Sequence, residues 1–471
     1  MRKKFLALAV LALGAFSASY AGGLMTNTNY HVAFDRMMAR GASMEIDAAY
    51  SNPAGLAWGH EGFQLSLNFQ KPWQNRDIKL TTNNYSKTYE GVASAPIVPA
   101  LFASYKHDRW ALSTMIGIVG SGGFVKYDEG VPMFNALLTN TISILSKSLS
   151  DVTGGATASP SPSSFDSEMK GKQYIYGGQF NFTYKLLDCL SAAAGLRVNY
   201  YDGYYRGHVI ASDADKIELA KFLLDVDQKG WGFTPLVSIN YHKGPLTLTA
   251  RYEFRTKIST TNDTNVLETG SNKTKLVEEP LSKLVVANIL SPSDAVNAVA
   301  MMQGVQEKLE GSLATYKAPY QDGVQTRYDM PALLSIAAGY EFSPKLRATL
   351  EYHFFDDKNA KMANNRQEEL THGTHEIVAG VEYDINDKFT ISCGGQRTDY
   401  GLSDEYQLNT SFACDSYSVG LGGAWNISDK LRLNAGYFIT LYSDYDKSTN
   451  YGTETYSRTN NVIGLGIDYK F

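Results

Sequence analysis

The feature that most restricts this chain is a period-two alternation of apolar and polar residues over segments of about ten residues, repeated along the sequence. One segment sets Phe63, Leu65, Leu67 and Phe69 against Gln64, Ser66, Asn68 and Gln70. Another sets Leu246, Leu248, Ala250, Tyr252 and Phe254 against Thr247, Thr249, Arg251, Glu253 and Arg255. A third sets Leu346, Ala348, Leu350, Tyr352 and Phe354 against Arg347, Thr349, Glu351 and His353. A soluble sandwich also alternates, but it has no use for Arg and Glu in the middle of its strands. A single sheet closed around a wet lumen accommodates them. The fold class read from this pattern is all-β, a transmembrane antiparallel barrel.

Strands are predicted near 62–70, 100–107, 109–118, 174–186, 189–201, 231–242 and 245–256. The second half adds 331–342, 345–355, 374–385, 388–397, 415–427, 430–441 and 461–471. The total of about fourteen is even, as single-chain bacterial barrels require. Tight turns at His107-Asp108, Leu187-Asp188, Lys243-Gly244, Ser343-Pro344, Asn386-Asp387 and Ser428-Asp429 alternate with long connections. The short turns would face the periplasm and the long loops the exterior. No apolar stretch after the N-terminal one is long enough for a membrane helix.

Arg2, Lys3 and Lys4 followed by the short apolar run Phe5 to Phe16 read as a signal peptide over 1–21, with cleavage before Gly22. Tyr 31, Phe 21, Gly 41 and only 19% charged residues suit aromatic girdles, a polar lumen and bends. A net charge of -5 gives a nucleic-acid partner no support. Cys189, Cys393 and Cys414 match neither a disulfide framework nor a zinc site. His372, His375 and Glu369 have metal-like spacing in an outer loop, but solvated side chains explain them as well, and no metal or cofactor is expected.

The remaining chain divides into a hatch at 22–61 and a barrel at 62–471. Outer loops at 119–173, 202–230 and 257–330 are read as helix-bearing. Ser291-Pro292 followed by Asp294 is a helix start, with Ser as N-cap and Pro as the first helical residue. Phe134, Leu137 and Leu138 in one loop and Val296, Val299 and Met302 in another form apolar faces. They either pack on one another or leave a groove for an apolar ligand. A shorter piece at 215–224, with Ile217, Leu219, Phe222, Leu223 and Leu224, is read the same way. The hatch has no barrel pattern and closes with Ser51-Asn52-Pro53-Ala54-Gly55, where Asn before Pro demands a turn.

With Asn52-Pro53-Ala54-Gly55 just before the first strand, a fourteen-strand pattern, helix-bearing loops and an aromatic last residue, Phe471, the chain resembles the FadL-type family of outer-membrane transporters for long-chain fatty acids and aromatic hydrocarbons. The resemblance runs from Gly22 to Phe471. It implies passive uptake of a hydrophobic small molecule by a monomer among outer-membrane lipids, through capture at the loops, a lumenal pocket and a hatch gated at Asn52, Pro53, Ala54 and Gly55. It also implies lateral release at a kink in the third strand, where the matching glycines are Gly117, Gly120, Gly122 and Gly123. Glycine permits such a bend and is also ordinary at strand ends.

A cargo carboxylate in a low-dielectric lumen needs a cation. The inward candidates are Arg197, Arg251, Arg255 and Arg347, for which pairing with Glu253 and Glu351 is the competing role. Two other classes are a diffusion porin, which predicts an open lumen, and an outer-membrane lipase or esterase. The latter would use His353, but no Gly-x-Ser-x-Gly motif accompanies it, so no enzyme is expected.

Overall fold

The computed structural model describes residues 30–95, 97–156 and 160–471. The expected signal peptide and the first residues of the hatch lie outside the described residues. Fourteen strands form one closed antiparallel barrel. They are β1 Gly62–Thr81, β2 Val98–His107, β3 Trp110–Tyr127, β4 Ser164–Leu187, β5 Leu190–Ser212, β6 Glu218–Lys243 and β7 Leu246–Glu253. The circuit continues through β8 Leu333–Ser343, β9 Leu346–Phe355, β10 Thr374–Asp384, β11 Phe389–Asp399, β12 Ser416–Asn426, β13 Leu431–Tyr442 and β14 Gly452–Lys470. Each strand pairs with the next, and β14 closes on β1 from Gln64–Lys470 to Thr81–Thr453. Closure leaves no edge with unsatisfied backbone groups, which is what lets strands cross a bilayer.

Alternation decides which side chains face lipid. Leu67, Phe69, Leu248, Ile336, Leu350, Ile391, Leu421 and Leu465 all stand exposed on the outer wall. Aromatic residues gather near the short turns, among them Tyr105, Trp110, Tyr184, Phe342, Phe389, Trp425 and Tyr469. A second group lies higher, with Trp73, Tyr176, Trp231, Phe254 and Tyr417. Two aromatic girdles flanking an apolar band are the surface of a barrel seated in a membrane. The opposite face is polar and buried: Gln64, Asn68, Asn181, Arg197, Asn240, Arg251, Glu253, Glu351 and His353 point inward.

At the long-loop end the strands run on well past the girdle. β4, β5 and β6 have 24, 23 and 26 residues, far more than the ~10 a bilayer requires. The expectation of a helix-bearing loop at 202–230 is therefore corrected: this stretch is the upper half of a strand hairpin, joined in register from Asp202–Lys229 up to Ala211–Ala220. The physical reason is an inversion of the pattern. Above the bilayer the outer face meets water and the inner face meets protein, so Ala220, Phe222, Leu224 and Val226 are buried inward while Asp225 and Asp227 sit outside with Arg206. Apolar residues on alternate positions look like a greasy helix once both faces carry some of them.

Two loop helices close this end. α3 covers Pro132–Val152 and α5 covers Pro292–Lys317, the latter capped by Ser291, whose side chain accepts the Asp294 N–H at 3.1 Å. A shorter helix, α4, spans Glu279–Val286. Phe134, Leu137, Leu138, Leu145 and Leu149 of α3 are buried, and the Phe134 ring lies 6.0 Å from that of Phe222 on β6. Met302 joins the same cluster and Val299 packs at its margin, so the two apolar faces are spent largely on each other and on the upper wall. Val296 is a correction: it is 68% exposed and lines nothing between the helices, because it sits on the first turns of α5 outside the packed stripe.

Asp357, in a short turn after β9, is buried and its Oδ2 accepts the Thr374 N–H at 2.9 Å. Burial pushes its carboxyl up to about 7, against the pull of the Thr374 bonds. An acid raised above its unfolded value holds its proton only in the folded state, so its stabilising effect is complete below about pH 4 and fades as pH rises through about 7. Amide exchange around Thr374 is therefore expected to speed up between pH 5 and pH 8 beyond its intrinsic dependence, and Asp357→Asn to remove that excess. An unchanged excess in the variant would refute the assignment.

Candidate functional site

The hatch runs as a ring around the inner wall. Its first helix, α1 (Val32–Met37), starts at His31, whose Nδ1 accepts the Ala33 N–H at 3.1 Å and whose Nε2 meets Asp468 at 3.0 Å near the foot of β14. Arg36 is fully buried and pairs with Glu382 on β10, with a further bond to Ser392 at 2.9 Å on β11. Met38 ends the helix at φ 65°, a left-handed conformation uncommon without glycine, held by its N–H to the Phe34 carbonyl at 2.6 Å. Gly41 then meets Glu351 and Thr249, Arg40 pairs with Asp47 at 2.7 Å, and Glu45 pairs with Arg432. A buried cation and carboxylate on each side keep this ring from floating free, since removing either partner strands a charge.

The ring is seated on glycines. A side chain at Gly394 would place its Cβ 1.7 Å from the Met37 carbonyl oxygen, and at Gly464 2.1 Å from an Asp35 carboxylate oxygen. At Gly380, Gly420 and Gly436 the nearest hatch atoms would be 2.4, 2.5 and 2.7 Å away. These positions lie on the lumenal face of β10, β11, β12, β13 and β14, so one side of the lumen is lined by backbone at the height where α1 lies. Sequence reasoning took no account of these residues. The signal existed, because glycines fall on the inward register of five neighbouring strands.

A short helix, α2 (Ala48–Ser51), leads into the end of the ring at Asn52-Pro53-Ala54-Gly55. Asn52 Nδ2 donates to Asn240 Oδ1 at 2.8 Å and to the Ser43 carbonyl at 2.9 Å. Thr183 donates to the Pro53 carbonyl at 2.8 Å and Ser191 to the Ala54 carbonyl at 2.6 Å, while the Ala54 N–H reaches Ser238 at 3.1 Å. Gly55 leaves room that a Cβ would take from Asn52 Nδ2 at 2.4 Å. The motif is thus fastened to β4, β5 and β6, opposite the glycine seat.

The four candidate arginines are all engaged. Arg197 pairs with Glu253, Arg251 binds the Tyr50 carbonyl and lies 3.2 Å from Glu253, and both guanidiniums face the Tyr50 ring at 5.4 and 5.5 Å. Arg347 is held by Glu382 at 3.1 Å and Asp384 at 2.7 Å, and Arg255 bonds the Asn359 carbonyl at the loop end. They anchor hatch and loop. His353 is buried with Glu351 and Glu376 on its two ring nitrogens at 3.0 Å each, so neither nitrogen is turned to a nucleophile.

Beside the hatch the wall is interrupted. The β2–β3 ladder ends at Leu101–Ile116, and pairing on that side of β3 resumes only at Ala93–Val125. On the other side β3 stays joined to β4, but the register slips between Ile118 and Gly120 and again between Ser121 and Gly123. Gly123 has φ 73°, and Val119 folds against Gly177, where a Cβ would lie 2.5 Å from it. Gly117 stands at the lower corner of the lapse, and Gly120 and Gly122 lie within the bulged stretch. A groove of about 530 Å³ opens here on the lipid side. Its walls include Leu67, Phe69, Ile116, Tyr176 and Trp231, and its floor reaches Ala100 and Gly117 on the lumenal face.

Barrel, girdles and internal ring together define an integral outer-membrane β-barrel closed from within, and residues 295–471 match the family model for the outer membrane protein beta-barrel domain. Among solved structures the chain is similar to a FadL homologue of Pseudomonas aeruginosa, at 14% identity and TM-score 0.63, covering 96% of this chain and 100% of that one. It is also similar to the toluene transporters TodX of P. putida (11% identity, TM-score 0.54, covering 90% and 94%) and TbuX of Ralstonia pickettii (14%, 0.52, 90% and 94%). At these identities the likeness is one of fold, and the chain has the FadL-type fold. No curated protein matches its sequence.

Proposed function

We propose that this chain takes up hydrophobic compounds passively across the outer membrane, holding them in the lumen above the hatch and releasing them sideways between β2 and β3. The observation that carries this reading is the apolar groove at the ladder lapse, at a height where the hatch ring blocks the straight path down. An apolar solute leaving water is favoured by about 0.8 kcal/mol per CH₂. A greasy exit to lipid therefore needs no energy source, whereas a route into the periplasm would have to return the cargo to water. The ring also argues against an open diffusion pore. In this reading Asn52, Pro53, Ala54 and Gly55 gate the passage, and Gly117, Gly120, Gly122 and Gly123 shape the exit. Likeness in fold to a FadL homologue and to toluene transporters supports a hydrophobic substrate, and the FadL-type resemblance implies long-chain fatty acids or aromatic hydrocarbons.

The test is to extract the purified barrel with organic solvent, identify what it carries by mass spectrometry, and record its conductance in planar bilayers. A bound lipophile with little ion current is the expected result. An empty barrel with porin-sized conductance would overturn the proposal.

A further inference from the structure

The hatch is held by buried charge pairs, Arg36 with Glu382, Arg40 with Asp47 and Arg432 with Glu45. A second segment inside the barrel is held by a different chemistry. The loop 400–415, between β11 and β12, turns inward instead of projecting, so that Tyr406, Gln407, Asn409, Ser411, Phe412 and Cys414 are all buried. It reaches well beyond its own strands. The Phe412 ring lies 4.7 Å from that of Tyr456 on β14, and Asn409 Oδ1 accepts the Met133 N–H at 2.7 Å in the first turn of α3. Since Phe134 of α3 packs on β6, loop and helix together cross the barrel mouth from β12 to β6.

The loop keeps its own shape. Gln407 donates to the Ala413 carbonyl at 2.7 Å and accepts the Ala413 N–H at 3.1 Å, around a bridge between Leu408 and Ser411. The stem is tied where the Asp415 carboxylate accepts the Tyr400 N–H at 2.9 Å, beside Gly401 at φ 63°. A hairpin closed at tip and stem can swing as one body about such a residue. What fastens it to its surroundings is cation to carbonyl. Arg366, in the loop between β9 and β10, donates to the Tyr406 carbonyl at 2.6 Å and to that of Ser411. Arg76 on β1 donates to the Phe412 carbonyl at 2.8 Å, and Lys447 of the short strand Tyr445–Thr449 to that of Gln407 at 2.6 Å. Among the described residues no Asp or Glu forms an ion pair with any of these three cations. Breaking a buried ion pair strands two charges, whereas a cation leaving a carbonyl takes up water as the mouth opens to solvent. The loop is therefore the easier of the two internal barriers to lift.

We infer that the loop 400–415 is an outer lid, which lifts as a unit to admit cargo while the charge-paired hatch stays seated, so that uptake passes two gates in turn. This rests on the uptake reading above and adds its regulation. Because the lid opens on its own, ions reach the hatch whenever it lifts, and the hatch is the seal. The competing role, a fixed filling of the outer lumen, predicts that the loop never opens in a folded barrel.

The test uses Cys414, fully buried at the root of the loop, as reporter. With Cys189 and Cys393 changed to Ser it is the one thiol in the chain. Its reaction with a charged methanethiosulfonate is followed on the purified full-length protein in non-ionic detergent. Arg366→Gln is expected to speed that reaction at least about tenfold, as loss of two charged donors from the latch does. Arg366 is not among the groups acting most strongly on the Cys414 thiol, so a faster reaction reports access and not acidity. Conductance of Arg366→Gln in planar bilayers should stay at the wild-type level, because the hatch remains. Lys447→Gln decides the matter if Arg366→Gln does not fold, as judged by heat-modifiable gel mobility. An unchanged labelling rate in a folded variant would overturn the lid. Faster labelling together with porin-sized conductance would also overturn it, by making the loop itself the seal. Neither readout needs cargo, so an empty, freely conducting wild-type barrel would remove the uptake reading while the lid is judged on labelling alone.

Discussion

Replacing Gly394 by valine is expected to unseat the hatch and convert a closed barrel into an ion conductor. The new Cβ would stand 1.7 Å from the Met37 carbonyl oxygen, a backbone atom that cannot swing aside as a side-chain tip can. The wall cannot retreat either, because β11 is hydrogen-bonded to β10 at Gly380–Gly394 and to β12 at Gly394–Gly420. The hatch must give way. Overpacking of this kind costs about 1–3 kcal/mol, and here it falls on a segment held by individual polar contacts rather than by ladders. The barrel itself should survive, since its closure does not pass through the hatch. Single-channel recording is the measurement, with Gly395→Val as the control. Gly395 is the next residue on the strand, and its nearest new contact is ordinary, 3.4 Å from the Ser418 carbonyl. Conductance at wild-type level in Gly394→Val, in a correctly folded barrel, would mean that α1 does not seal the lumen.

The second large effect concerns the gap in the wall. A Cβ built on Gly117 lies 3.4 Å from that of Ala100, close to the ~3.8 Å typical of a disulfide. The double variant Ala100→Cys/Gly117→Cys should therefore oxidise readily and staple β2 to β3 one step above the last ladder pair. Exposed Cys393 is best changed to Ser first, because all three native cysteines are free. Uptake of labelled cargo in cells is expected to fall by about an order of magnitude in the oxidised form and to recover with reductant, if cargo leaves by this route. A staple at Ser104→Cys/Ser113→Cys, where the ladder is already intact, should change nothing. Equal uptake by the oxidised and reduced Ala100/Gly117 variant would place the exit elsewhere.

Much of this architecture was readable in advance, and the errors share one cause. The alternation marks the strands within the membrane band but stops short at their outer ends, at Gln70 against Thr81 and at Tyr201 against Ser212. In the band, alternation reports lipid on one side and lumen on the other. Above it the solvents change places, and the same period-two signal is masked by apolar residues such as Ile217, Leu219 and Leu223 on either face. The arginines show a second limit. Arg197, Arg251 and Arg347 stand out because they lie in clear strands, and their carboxylates, Glu253, Glu382 and Asp384, lie in equally clear strands. Arg76 lies in what reads as a loop, and the ladder that sets it opposite Arg458 joins the first and last strands of the barrel.

What the chain decided locally was the alternation that makes it a barrel, the short turns that orient it and the Asn52-Pro53 turn that ends the hatch. These depend on neighbours two to four residues away, and sequence carries them directly. Closure decided the rest. The glycine seat, the lapse between β2 and β3 and the opposed arginines exist only once strands distant in sequence lie side by side in one register. A register is a property of the whole ring, in which a shift of one residue would turn every inward side chain toward lipid.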